Sequence, residues 1–217
     1  MPKLFSIRPG MTLRGRAFKG LRGWAGKPMH PPLTDFPIVA YVLVASFDVI
    51  SYVAEKQDAP GLARDTFVAG TWVIIAGAIV SLGAALTGFW DWWKGIERDR
   101  STGFLGRAKH TQVWRTINWH MTIMLTVTAI VIVDIIVRLA QYDEGYTELP
   151  AMILSILAAA LVSLGATYGG SLVYDYQFNV ESLEGSTAWD EAEADQMPAD
   201  HAEPSLSPGT DTPADQQ

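Results

Sequence analysis

The sequence predicts an all-α protein: a four-helix transmembrane bundle with a basic N-terminal arm and a disordered acidic C-terminal tail. The 217-residue chain is 49% hydrophobic and 18% charged, and its charges gather at the two ends and in loops between four long apolar runs. Each run exceeds the roughly 20 apolar residues that cross the hydrocarbon core of a bilayer. Backbone groups in lipid must pair within their own segment, so these runs are helices. This composition excludes an ordinary water-soluble globule.

Residues that start and stop helices set the predicted boundaries. The membrane domain is predicted at 33–176, with spans at about 33–54, 66–90, 113–140 and 150–174. Thr34 or Asp35 can cap the first helix. Pro37 then falls in its first turn, where a missing N–H costs nothing. Pro150 opens the fourth helix in the same way.

Lys and Arg counts predict the orientation of the helices. Residues 1–32, the basic arm, hold seven Lys or Arg and no acidic residue, and the loop between the second and third helices holds five more. The loops on the other side hold fewer. Because positive residues stay in the cytoplasm, the N-terminus is predicted to be cytoplasmic, and four spans return the C-terminus to the same side. The arm is expected to contact anionic lipid headgroups, and no nucleic-acid-binding pattern accompanies it.

Residues 177–217 form the predicted acidic tail. This segment is rich in Asp, Glu, Pro, Ser and Ala, and it contains no Lys or Arg. Such a composition cannot bury enough apolar surface to offset the entropy of ordering the chain, so the tail is predicted to be disordered.

Small residues indicate where the helices approach one another. Small residues recur about one turn apart on one face of the second helix, at Gly77, Ser81, Ala84 and Gly88. Gly165 and Gly169 form a GxxxG pattern on the fourth helix. Patterns of this kind are typical of close helix packing in membranes. Asp91 continues the face on the second helix, so its side chain is expected to point between helices.

Two carboxylates lie inside the predicted spans, where an ionised group costs about 2.5–3.5 kcal/mol and therefore needs a partner. Asp134 has Arg138 one turn later on the same face, which favours an ion pair within the helix. Asp48 has no partner on its own helix. A neighbouring helix, a water molecule or protonation must satisfy it.

Polar residues also gather at the predicted cytoplasmic ends of the helices. The candidate ligand-binding residues are His30, Asp35, Asp91, Asn118, His120, Ser171 and Asp175. Carboxylates and imidazoles that converge on a bundle face favour a ligand site. At 100° per residue, Asn118 and His120 differ by about 200° around the third helix, so they are not expected to line one pocket. His120 shares its face with Asp134 and Arg138.

Three segments together resemble a known family. They run from His30 to Pro37, from Leu86 to Trp92 and from Tyr168 to Tyr174. From about residue 23 to 180 the chain resembles the bacterial four-helix membrane family catalogued as domain of unknown function 2231. Members occur fused to Rieske or cytochrome c modules, so the resemblance implies a setting in electron transfer but brings no established activity. It also implies a bacterial cytoplasmic (inner) membrane.

The chain departs from the family pattern at two positions. Related sequences often carry His where this chain has Trp114 and Ser171. If those histidines are ligands, this protein has lost them. His30 alone remains at a matching position, and His120 is an additional histidine.

Three classes of function remain open, and no catalytic residues are predicted. An accessory or assembly subunit of a membrane complex is preferred, because the chain is small and presents small-residue faces to a membrane-protein partner. The alternative is a b-type haem or quinone carrier, with His30 and His120 as the available axial pair and His110 as a substitute. The face of His120, and the prolines that follow His30, argue against that pair. A proton or small-solute transporter would use Asp48 and Asp134.

The sequence also limits the cofactors. There is no cysteine, which excludes disulfides, thiolate metal sites, iron–sulfur clusters and covalently attached c-type haem. The sequence shows no Ser-His-Asp order, metal triad or phosphate-binding loop, so an enzymatic activity is not expected.

Overall fold

The computed structural model describes residues 28–96, 98–99, 107–108 and 110–180. These contain four long helices: α1 (His30–Lys56), α2 (Pro60–Gly95), α3 (Gln112–Ala140) and α4 (Leu149–Tyr174). The predicted all-α, four-helix class is confirmed. A short 3₁₀ turn (Tyr142–Glu144) precedes α4, and two-residue strands β1 (Arg98–Asp99) and β2 (Arg107–Ala108) pair antiparallel between α2 and α3. Residues 1–27 of the predicted arm and 181–217 of the predicted tail lie outside the described residues.

All four helices are long and apolar enough to cross a membrane. The shortest, α4, has 26 residues and is about 39 Å long at 1.5 Å per residue. Each helix therefore exceeds the hydrocarbon thickness of roughly 30 Å.

The start of α1 differs from the prediction. The helix begins at His30, because prolines are tolerated in the first turn, where the backbone N–H has no partner within the helix. The predicted cap by Thr34 or Asp35 was wrong. The N-cap is Met29, without a side-chain hydrogen bond, and the hydroxyl of Thr34 donates to the carbonyl of Pro31 (2.7 Å) inside the first turn. Pro37 lies within the helix.

The start of α2 also differs from the prediction. Pro60 is its first residue, so the helix begins earlier than residue 66. Thr66 lies in the helix, where its hydroxyl donates to the carbonyl of Leu62 (2.7 Å). At the start of α3 the Thr111 side chain accepts a hydrogen bond from the backbone N–H of Trp114 (3.1 Å), which satisfies one of the free donors of the first turn.

The core of the bundle is apolar and lies between all four helices. Its central cluster consists of Tyr41, Val44, Ile74, Val127, Val131, Ala158 and Val162. The outer faces are apolar as well, with Ile79, Leu86 and Ile136 among the most exposed hydrophobic residues. A bundle that is apolar both inside and outside is typical of a membrane domain.

Glycines set the close contacts within each helical hairpin. A Cβ atom at Gly77 of α2 would lie 2.8 Å from Cβ of Ala40 on α1. A Cβ atom at Gly165 of α4 would lie 2.9 Å from Cε of Met124 on α3. The close approach predicted from the small residues is therefore confirmed, and these faces are occupied inside the bundle.

Candidate histidine site between the helical hairpins

His30 and His120 lie side by side in the structure. Their ring centroids are 6.3 Å apart and their ring planes are nearly perpendicular, at 85°. The geometric argument against this pair was wrong for two reasons. Helix α1 begins at His30 itself, and His120 belongs to the inward face of α3, which buries Val127, Asp134 and Arg138.

A hydrogen bond to a helix carbonyl fixes each imidazole ring. Nδ1 of His30 lies 2.8 Å from the carbonyl oxygen of Ala84 on α2, and Nδ1 of His120 lies 2.8 Å from that of Gly165 on α4. Because a carbonyl oxygen can only accept, each Nδ1 carries the hydrogen. Nε2 of each neutral ring then holds a lone pair. Among the described residues, neither Nε2 has a hydrogen-bond partner.

A glycine makes room for each ring. A Cβ atom at Gly88 would lie 2.6 Å from Cε1 of His30, and one at Gly169 would lie 3.2 Å from Cε1 of His120. In both cases the glycine follows the accepting carbonyl by one helical turn. The α1–α2 hairpin and the α3–α4 hairpin therefore hold one histidine each by the same arrangement.

Adding a methyl group at these glycines is expected to destabilise the protein. The loss should be larger where the added Cβ atom lies closer to the histidine ring. Gly88→Ala forces the ring of His30 off its hydrogen bond and should cost about 1–3 kcal/mol, with a smaller loss for Gly169→Ala. Gly61→Ala is the control, because nothing lies within 4 Å of its Cβ position. Unfolding in detergent, followed by circular dichroism, measures the series. A larger loss at Gly169 than at Gly88 would contradict this account.

Asp91 is the buried carboxylate at this end of the bundle. It is 7% exposed, so its side chain does not face the lipid. One turn before it, the hydroxyl oxygen of Thr87 lies 3.4 Å from Nδ1 of His30, and its single hydrogen is shared between the carbonyls of Gly83 (2.9 Å) and Ala84 (3.0 Å). Thr87 was not predicted, since a threonine hydroxyl inside a helix is usually satisfied by the preceding turn.

The other candidates do not join the histidine pair. The side-chain amide of Asn118 donates to the carbonyl of Trp114 on its own helix (2.6 Å). Asp35 and Asp175 are exposed, and Ser171 is half-buried. In the described part of the chain, none of these four side chains has a hydrogen bond to either imidazole.

Trp114 and His110 have a packing role. Trp114 packs against a second apolar cluster formed by Ile96, Ile117 and Leu172. The exposed ring of His110 stacks on Trp114, with centroids 4.2 Å apart and planes within 7°. In the described part of the chain, His110 has no ring contact with His30 or His120, so it does not join the pair.

A separate polar cluster lies in the half of the bundle away from the histidines. It contains Asp48, which follows His30 by about 27 Å along α1. Arg138 donates through Nε to Oδ1 of Asp134 (2.9 Å) and through Nη2 to Oδ2 of Asp48. The predicted ion pair within α3 is present, and Asp48 obtains its partner from a neighbouring helix. All three side chains are fully buried.

Two residues of this cluster were not predicted. The hydroxyl of Thr147 donates to Oδ1 of Asp48 (3.0 Å), and its backbone N–H donates to the hydroxyl of Ser51 (2.9 Å). Ser51 in turn donates to the carbonyl of Ala63 (2.8 Å). Thr147 lies in the connection before α4, where the sequence carries no pattern that marks it.

The fold and these polar contacts define a multi-pass helical membrane protein. Residues 26–182 match the model of the family described as predicted membrane protein (DUF2231). The chain belongs to this family. No curated protein and no solved structure matches the chain.

Proposed function

We propose that this protein is a membrane b-type haem protein that carries electrons, with His30 and His120 as the axial ligands. The geometry of the pair carries the proposal. If both rings held one metal, each Nε2 would lie about 2 Å from it and each ring centre roughly 1 Å further away, so the two centroids would be about 6 Å apart. The distance between these two rings is 6.3 Å.

The donor set favours haem over a bare metal ion. A protein site for zinc takes at least three side-chain ligands. No group of three or more His, Cys, Asp or Glu residues that could hold a metal lies within the described residues. Haem brings its own four equatorial nitrogens and needs one or two axial ligands, which helical bundles supply from facing helices. When bound, it supplies one-electron chemistry.

The protein's own residues prepare the two ligands. The hydrogen bonds from Nδ1 to backbone carbonyls fix the tautomer and the ring orientation, and they raise the basicity of Nε2. The absence of side chains at Gly88 and Gly169 lets each ring pack against the neighbouring helix. As neutral imidazoles, His30 and His120 would hold the group without adding charge of their own.

The absorption spectrum of the full chain tests the proposal. The protein is expressed with haem synthesis supported, purified in mild detergent, and assayed for haem by the pyridine haemochrome method. The expected result is one haem per chain and a low-spin spectrum with a Soret band. A sample without a Soret band overturns the proposal, and extraction of a quinone instead would assign the site to that ligand.

The sequence also predicted an accessory subunit of a membrane complex. We propose that the haem protein has this role, as a subunit that binds a membrane-protein partner. A one-electron carrier needs a donor and an acceptor, and the purified sample can be examined by mass spectrometry for a co-purifying membrane complex. The small-residue faces first cited for docking pack inside the bundle, so they do not support this role. The cytoplasmic placement of both termini, and the bacterial inner membrane, stay predictions.

The transporter alternative draws little support from the cluster in the other half of the bundle. Asp48 and Asp134 are fully buried and both contact Arg138, whereas a transport path needs polar groups that water or solute can reach.

A further inference from the structure

We infer that the cluster of Asp48, Asp134 and Arg138 is a proton-binding site, in which Asp134 holds the proton and Asp48 is the ionised partner of Arg138. This inference is independent of the haem proposal, since it concerns different residues in another part of the bundle. It assigns a ligand, the proton, to a buried group that electron transfer does not use.

Charge balance is the first argument. Two carboxylates share one guanidinium, and all three side chains are 0% exposed. If both carboxylates were ionised, the membrane interior would hold an uncompensated negative charge, which is costly in a medium of low dielectric constant. One proton makes the cluster neutral.

No other described charge can take the place of that proton. Helix α4 contains no Asp, Glu, Lys, Arg or His. Towards this end of the bundle, α1 and α2 offer Glu55, Lys56, Arg64 and Asp65, of which Lys56, Arg64 and Asp65 are exposed and Glu55 is half-buried. The connection before α4 carries Asp143, Glu144 and Glu148. The residues of α2 and of the connection that contact the cluster are Gly70 and Thr147, and neither is charged.

The hydrogen bonds identify which carboxylate is protonated. Both oxygens of Asp48 accept, Oδ1 from Thr147 and Oδ2 from Arg138, as an ionised carboxylate requires. Asp134 accepts through Oδ1 from Arg138, while its Oδ2 is buried without a partner in the described part of the chain. An ionised oxygen left in that state costs more than a neutral hydroxyl. The proton therefore belongs on Asp134.

A bound water is the competing arrangement. Nη1 of Arg138 is also buried without a partner among the described residues. A water that accepts from this group and donates to Oδ2 of Asp134 would satisfy an ionised carboxylate. The two arrangements differ in whether Asp134 carries hydrogen, so a measurement that detects a carboxylic acid separates them.

Infrared spectroscopy of the full-length protein at neutral pH provides that measurement. We expect a carbonyl stretching band of a protonated carboxylic acid that shifts in D₂O and disappears in Asp134→Asn. The band should also disappear in Asp48→Asn, because Asp134 then becomes the ionised partner of Arg138. Asp35→Asn, at an exposed site, is the control and should keep the band.

Thermal unfolding gives a second readout that does not depend on the infrared band. Asparagine matches a protonated aspartic acid in shape and charge, so Asp134→Asn should unfold close to the wild-type temperature. Asp48→Asn should unfold at a lower temperature, because it replaces the carboxylate that accepts from both Arg138 and Thr147 and makes Asp134 give up its proton. A wild-type spectrum without an acid band, or a band that survives in Asp134→Asn, overturns the inference. So does a greater loss of stability in Asp134→Asn than in Asp48→Asn.

Discussion

His120→Leu and His30→Leu are each expected to weaken haem binding, with haem content falling at least tenfold in the purified protein. Leucine fills a similar volume but offers no lone pair, so an axial bond is lost in either variant. His110→Leu is the matched control, because that ring is exposed and stacks on Trp114. The pyridine haemochrome assay measures the content, and circular dichroism confirms that the variants remain helical.

A ligating histidine can be told apart from a structural one by a methionine variant. If His120 binds the iron, His120→Met should replace one imidazole by a thioether, and the reduction potential of the haem should rise. A structural histidine would leave the potential unchanged. Full haem content with an unchanged spectrum in His120→Leu would exclude His120 as a ligand.

The helices could be predicted from the sequence because their length and apolarity are set by the bilayer. Their ends could not be placed as well. The prolines after His30 indicated a start beyond them, whereas a first turn tolerates residues without an N–H. Residue spacing separated the two faces of α3 correctly, and His120 lies on the buried face.

The histidine pair shows why the residues of a site are easier to predict than its geometry. His30 and His120 were both candidates, but their proximity depends on where α1 begins and on the contact of each ring with a second helix. Ala84 and Gly165 contribute only backbone carbonyls, which no side chain marks in the sequence.

In the charged cluster, the contact between residues close in the sequence could be predicted, and the contacts between distant residues could not. The contact between Asp134 and Arg138 spans four residues on one helix and was predicted from spacing. The contacts of Asp48 with Arg138 and Thr147 span 90 and 99 residues. They depend on how the hairpins pack, which the pattern of a single helix does not fix.

Arg138→Met is expected to produce the largest loss of stability in the protein, about 3–5 kcal/mol of unfolding free energy. The substitution keeps an unbranched side chain in the core but removes the cation between Asp48 and Asp134. Asp48 would then be buried without its cation, with Thr147 as its remaining donor, and would have to stay charged or take up a proton. Unfolding in mixed detergent micelles measures the change.

Two further variants separate the loss of the cation from the loss of packing. Arg115→Met removes an exposed Arg from the same helix and should change the free energy by less than about 0.5 kcal/mol. Adding Asp48→Asn and Asp134→Asn to Arg138→Met should restore most of the lost stability, because no charge then stays buried without a partner. If the triple variant were as unstable as Arg138→Met alone, the cost would come from the shape of the guanidinium and not from its charge.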